Sequence, residues 1–209
     1  MACGKTLARN PPTGYGASLV QRISVVGTAG SGKSTLASEL ADLFQVPHLE
    51  LDSVYHQAEW TPLPRDEFRA RVERFVAQDG WVADGNYSTV RDLVWRRADT
   101  VAWLDLPRHL VMRRLLRRTL SRVMTRQELW NGNRETVRGF FSLDPERSIL
   151  VWAWTTHARN RASFLDASQD PDNAHLTFVR LGSPRAVRRF LAAARAAEEA
   201  GATGEAATG

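Results

Sequence analysis

The chain carries one cysteine, Cys3, and only two lysines, Lys5 and Lys33, among 209 residues. A single cysteine excludes an internal disulfide and fits a reducing, cytoplasmic setting. No apolar run reaches the roughly 18 residues that span a bilayer, so no membrane partner is expected. The first twenty residues have no continuous apolar stretch and do not read as a secretory signal. No helix-turn-helix, zinc finger or other nucleic-acid-reading module is present. The net charge of +5 therefore rests on arginine. A GC-rich genome gives that skew without any functional demand, whereas local arginine clusters need their own explanation.

With 43% apolar and 24% charged residues, the composition is that of one globular domain with a buried core. Residues 1–20, with Pro11-Pro12 and Gly14-Tyr15-Gly16, read as a flexible arm. Residues 21–192 read as the domain, and 193–209 as helix fraying into a disordered tail. Within the domain, short apolar runs alternate with helical patterns. Strands are predicted at Ile23–Val26, Val46–Leu49, Trp81–Ala83, Thr100–Leu104 and Thr177–Leu181. Helices are predicted at Lys33–Phe44, Arg65–Ala77, Arg108–Val123 and Pro184–Ala197. This alternation implies an α/β fold, a parallel sheet with helices on both faces. Gly27, Asp52, Asp84 and Asp105 each follow a predicted strand. All four therefore point to the sheet edge where such folds bind ligands.

Gly27-Thr28-Ala29-Gly30-Ser31-Gly32-Lys33-Ser34 matches the phosphate-binding loop G-x-x-x-x-G-K-[ST], between a strand and a helix as that motif requires. Its backbone N–H groups and the following helix N-terminus suit phosphate oxygens. Lys33 is assigned to the β- and γ-phosphates, and the Ser34 hydroxyl to Mg²⁺. ATP with Mg²⁺ is expected against Gly27, Ala29, Gly30, Ser31, Gly32, Lys33, Ser34 and Thr35.

Magnesium takes oxygen ligands and needs only one or two carboxylates. Asp84, in an Asp-Gly turn, and Asp105, after a Walker-B-like run, are both candidates beside Ser34. Asp105 reads equally as a cap for the next helix. Asp52 is the candidate for accepting the proton of an attacking hydroxyl. The acceptor side is expected to comprise Asp52, Tyr55, Trp60, Asp84, Asn86 and Tyr87, with His56 nearby. Along Arg108–Val123, Arg114, Arg118 and Arg122 share one stripe, opposite Leu110, Val111, Leu115, Leu116 and Leu120. Arg114 and Arg118 are candidates for holding phosphates, and Arg118 and Arg159 for stabilising the transferring group. Residues of about 119–145, with an exposed-looking Trp130, read as a mobile lid.

The order of phosphate loop, Leu51-Asp52, Asp84-Gly85-Asn86-Tyr87, Trp103-Leu104-Asp105-Leu106-Pro107-Arg108, arginine helix and Leu129-Trp130-Asn131-Gly132-Asn133-Arg134-Glu135 resembles a known family. It is similar to adenylate-kinase-related P-loop proteins often labelled DNA topology modulation proteins. The resemblance implies a three-layer nucleoside-monophosphate-kinase-like fold, a five-stranded parallel sheet in order 2-3-1-4-5 with a helical lid. It implies that Asp84 helps organise Mg²⁺, that Arg114 and Arg118 hold adenine and phosphates, and that Arg159 and Arg161 follow the lid. Adenylate kinases continue Asp-Gly with Phe-Pro-Arg, which grips the acceptor phosphate. Here Asn86, Tyr87 and Ser88 stand instead, and the next arginine is Arg91. The resulting expectation is an ATP-dependent kinase with a small-molecule or nucleoside/nucleotide acceptor, monomeric or homodimeric. The rival expectation is a nucleic-acid-associated ATPase or regulatory protein acting through the arginine helix.

Overall fold

The computed structural model describes residues 22–125, 128–133 and 148–206, without the side chains of 201–206. The N-terminal arm and the lid positions 126–127 and 134–145 lie outside the described residues. Five parallel strands form one sheet in the order β2-β3-β1-β4-β5. They are β1 (Arg22–Gly27), β2 (His48–Glu50), β3 (Trp81–Asp84), β4 (Thr100–Leu104) and β5 (Thr177–Arg180). The order is the one the resemblance implies. β1 sits between β3 and β4, pairing Val25 with Asp84 and Gly27 with Leu104. The chain thus leaves β1 to one side, returns, and continues on the other side. That reversal opens a crevice at the carboxyl ends of the central strands.

The central strands are apolar on both faces, and the period-two alternation shows why. Ile23 and Val25 of β1 join Ala102 and Leu104 of β4 in a core against Leu36, Ala37 and Leu40 of α1 (Lys33–Phe44). Phe190 and Ala194 of a C-terminal helix close that layer. Val26, Val101 and Trp103 face the opposite core. There they meet Phe68, Val72 and Val76, spaced one helical turn apart on α3 (Arg65–Val76). Each of these fully buried side chains contributes about 2 kcal/mol of burial.

Two short elements place the site. A five-residue helix, α2 (Leu51–Tyr55), starts directly after β2, so Asp52 lies in its first turn rather than at a strand end. α4 (Ser88–Arg97) follows β3, a helix that the Asp-Gly-Asn-Tyr turn signal had obscured. Its Val90, Leu93 and Val94 are buried at helical spacing. The arginine helix α5 runs from Arg108 to Thr125 and buries Val111, Leu115 and Thr119. Leu116 and Leu120, expected on its apolar side, are instead exposed.

α6 (Ile149–Gln169) was not anticipated, because the continuous apolar run Ile149–Trp154 has no helical period. The final helix, α7, covers Pro184–Ala206. The stretch expected to fray from 193 continues as helix, in keeping with the propensity of its alanines and glutamates. Among the described residues no helix is long and apolar enough to cross a membrane.

Candidate active site

The loop between β1 and α1 is closed by Ser31 N–H donating to the Thr28 carbonyl at 3.0 Å. Gly30 has φ +83°, and a Cβ there would lie 2.8 Å from Leu115 Cβ and 3.0 Å from the Val111 carbonyl oxygen. Glycine is needed here for both conformation and space, because α5 packs directly on the loop. Gly32 has φ +97°, with Arg114 at 3.7 Å as the nearest neighbour of an added Cβ. It caps α1 without any side-chain hydrogen bond, so the first N–H groups of that helix face the cleft. Arg114 donates to the Ser31 carbonyl at 3.1 Å and fixes the loop to α5. Ser31 Oγ is buried without a hydrogen-bond partner. A glycine cradle, open helix N–H groups and an unsatisfied hydroxyl fit a phosphate chain.

Ser34, the second residue of α1, reaches the ends of β2 and β3. Its hydroxyl lies 2.9 Å from Glu50 Oε1 and 3.4 Å from Asp84 Oδ1. Asp84 is 1% exposed, and its other oxygen meets His48 Nε2 at 3.0 Å. Burial pulls the Lys33 pKa down, while Asp52, Asp84 and Glu50 oppose the shift and Arg118 adds to it. These hard oxygen donors fit a divalent cation such as Mg²⁺. Among the described residues no three His, Cys, Asp or Glu side chains form a metal cage. An ion here would complete its shell with phosphate and water oxygens.

Asp105 stands apart from this set. Its Oδ2 accepts from Arg180 Nε at 2.7 Å and from Arg161 Nε at 3.2 Å. The side chain is 6% exposed and does not line the cleft. Asp105 therefore ties the end of β4 to β5 and α6, and Glu50, rather than Asp105, stands beside Ser34 with Asp84.

The acceptor side is aromatic. Tyr87 O–H donates to Asp52 Oδ1 at 2.6 Å and lies 3.3 Å from His56 Nε2. Burial and the Asp52 charge raise the Tyr87 pKa far above its ordinary value, so the phenol stays protonated. Burial lowers the His56 pKa against the opposing pull of Asp52. Tyr55 packs on Tyr87 with ring centroids 4.7 Å apart, and on Phe68 at 5.2 Å. Trp60, 39% exposed, meets His56 edge-on at 5.3 Å. Asn86 was expected at the substrate. Its Oδ1 accepts from Gly27 N–H at 3.1 Å and its Nδ2 donates to the Gly27 carbonyl at 2.6 Å. It works as a clamp on the phosphate loop.

One cleft connects these parts. Ala29 to Thr35, Asp52, Tyr55, Trp60, Asn86, Tyr87, Arg114, Arg118 and Arg159 all line it. Gly27 lies beneath the loop, and Asp84 borders the Ser34 end rather than the acceptor wall. Glu50, Trp130 and Arg91, which the sequence alone did not place here, are among the other residues that line it. Trp130, read as exposed, is half-buried, and its indole N–H donates to Glu50 Oε2 at 2.6 Å. Arg91 is half-buried, stacks over Trp95 at 5.1 Å and Phe164 at 5.5 Å, and reaches Ser163 Oγ at 3.5 Å. Burial lowers its pKa, and among the described residues no carboxylate pairs with it. Glu50 directly precedes Leu51-Asp52, but no pattern in the sequence marked it. Trp130 was not legible either, because its contact spans 80 positions of sequence.

The sheet order, the loop and the helices on both faces define a P-loop kinase fold. No family model matches the chain, and no curated protein matches it. A shikimate kinase from Bacteroides thetaiotaomicron matches with a TM-score of 0.50 and 14% identity, over 86% of this chain and 97% of that one. A gluconokinase from Sinorhizobium meliloti 1021 matches at 20% identity, 86% and 94% coverage and a TM-score of 0.47. A shikimate kinase from Acinetobacter baumannii in complex with shikimate matches at 18% identity, 83% and 90% coverage and a TM-score of 0.47.

Proposed function

We propose that this chain is an ATP-dependent phosphotransferase acting on a hydroxyl of a small molecule that carries an anionic group. The observation that carries the reading is one sheet edge. The phosphate loop with Lys33 and Ser34, the carboxylates Glu50, Asp52 and Asp84, and an aromatic cleft all meet there. Ala29 to Thr35 hold the triphosphate, and Lys33 and Arg118 face its charge. Beyond the loop, Pro184, Val187 and Leu191 offer an apolar floor to the nucleobase. Ser34, Glu50 and Asp84 would hold Mg²⁺, which when bound neutralises phosphate charge. Asp52 takes the acceptor's hydroxyl proton as that oxygen bonds to the γ-phosphorus and the bond to the ADP oxygen breaks. Tyr87 holds Asp52 in place by its hydrogen bond. Arg91, which has no carboxylate partner among the described residues, and Arg159 suit the acceptor's anion. The setting is cytoplasmic.

The test is ATP turnover against paired acceptors with and without an anionic group: gluconate and glucose, AMP and adenosine. Lys33→Ala should abolish the turnover found. Turnover that survives this change overturns the reading.

A second reading is a nucleic-acid-associated ATPase, in line with the DNA topology modulation resemblance. It is favoured by Arg113 and Arg117, which α5 turns to solvent. Binding to duplex or single-stranded DNA that weakens steeply with salt would support it; no binding at low salt removes it.

A further inference from the structure

Two small loops of the same build face each other across the acceptor end of the cleft. In the first, Gln57 N–H donates to the Thr61 carbonyl at 2.8 Å and Thr61 N–H to Ala58 at 3.2 Å. In the second, Leu129 N–H donates to Asn133 at 2.7 Å and Asn133 N–H to Trp130 at 3.1 Å. Each holds a non-glycine residue at positive φ, Glu59 at 56° and Asn131 at 55°. Strain of that kind persists only where the surroundings enforce it.

The enforcing contacts run between the loops. Asn131 Nδ2 donates to the His56 carbonyl at 2.6 Å and lies 3.3 Å from the Ser53 carbonyl. Asn133 Nδ2 donates to the Gln57 carbonyl at 2.8 Å, and its Oδ1 accepts from Trp60 N–H at 2.8 Å. Asn133 is 4% exposed. The Trp130 ring lies nearly parallel to His56, 18° apart in plane, with centroids separated by 6.4 Å. The second loop is thus fastened along the whole acceptor segment from Ser53 to Trp60.

It also reaches the metal end. Trp130 Nε1–H donates to one oxygen of Glu50, and the other oxygen accepts from the Ser34 hydroxyl. A free glutamate at the end of a three-residue strand has several rotamers. Fixing one oxygen from the far side leaves the other directed at Ser34. Groups that orient a metal-bound carboxylate in this way tune metal affinity strongly.

We infer that Leu129–Asn133 is a strap whose Trp130 is a positioning residue. It sets the Glu50 carboxylate for a divalent cation at Ser34 while Asn131 and Asn133 hold the acceptor wall. The inference rests on the proposed nucleotide site. It assigns the Trp-Asn-Gly-Asn motif a role in metal loading, through an indole donor rather than a ligand.

The test is a Mn²⁺ titration of the full chain with a non-hydrolysable ATP analogue, reading free Mn²⁺ by electron paramagnetic resonance. Trp130→Phe keeps an aromatic ring in the strap and removes the indole N–H together with part of the ring's volume. It should weaken Mn²⁺ binding by about tenfold, the usual cost of losing a group that orients a ligand. Binding of the metal-free analogue should not change. Asn131→Ala, on the exposed side of the strap, should shift Mn²⁺ binding in the same direction by a smaller factor. It keeps the test open if Trp130→Phe does not fold. Unchanged Mn²⁺ affinity in the folded variants overturns the strap's role and leaves the kinase reading standing. A wild-type chain that binds neither analogue nor Mn²⁺ overturns both.

Discussion

Tyr87 and Asp52 share a hydrogen bond of 2.6 Å, and they follow the neighbouring strands β3 and β2. The phenol is the donor, because burial and the Asp52 charge both hold its proton in place. A carboxylate fixed on one oxygen presents the other to an incoming hydroxyl. Tyr87→Phe keeps the ring packing on Tyr55 and Phe68 and removes the donor. Steady-state kinetics should show kcat falling by about ten- to a hundredfold, the value of a hydrogen bond to a charged group. KM for ATP should stay close to wild type.

His56 links the fold to pH. Its folded pKa lies below the ordinary 6.5 because burial disfavours the cation, with Asp52 only partly offsetting this. Above that value the ring is neutral whether folded or not, and its full contribution to stability is present. As pH falls below it, the unfolded chain takes up the proton first, and stability drops until the folded pKa is passed. Urea melts from about pH 7.5 to about pH 5.5 should show a steeper loss for wild type than for His56→Gln. Equal slopes would remove His56 from this role.

The two loop glycines should respond differently to alanine. Gly32→Ala meets only the Arg114 guanidinium at an ordinary contact distance of 3.7 Å and carries chiefly the cost of a left-handed conformation, about 1 kcal/mol. Gly30→Ala carries the same cost and drives a methyl into Leu115 and the Val111 carbonyl. Thermal melts should place it about 2 kcal/mol below Gly32→Ala, in the range of overpacked core sites.

Asp105 gives a clean separation of stability from metal binding. Asp105→Ala leaves Arg180 without its buried partner and should cost about 3 kcal/mol in a denaturant melt. The Mn²⁺ affinity of the nucleotide complex should not change. A selective loss of metal binding with full stability would return Asp105 to the metal set.

How much of this was legible in sequence follows from where each signal lies. The phosphate loop, the strands and the 2-3-1-4-5 order rest on local patterns and one resemblance, and the sheet matches them. α4 was hidden because Asp84-Gly85-Asn86-Tyr87 reads as a turn up to the residue where the helix begins. Asp105 follows an apolar strand as a Walker-B aspartate does. Only the distant arginines 161 and 180 reveal its other role. Glu50, Trp130 and Arg91 entered the site through contacts formed by the folded sheet edge, which no periodicity encodes.

The Asn86 clamp carries one more consequence. A primary amide that accepts from Gly27 N–H and donates to its carbonyl imitates a peptide group, so β3 gains one extra rung alongside β1. Aspartate has nearly the same shape and cannot donate to that carbonyl, so shape alone does not satisfy the position. Because the rung joins the first glycine of the phosphate loop to the residue before Tyr87, the two halves of the cleft form a single mechanical piece. A shift on the acceptor wall is thereby handed to the loop through one side chain.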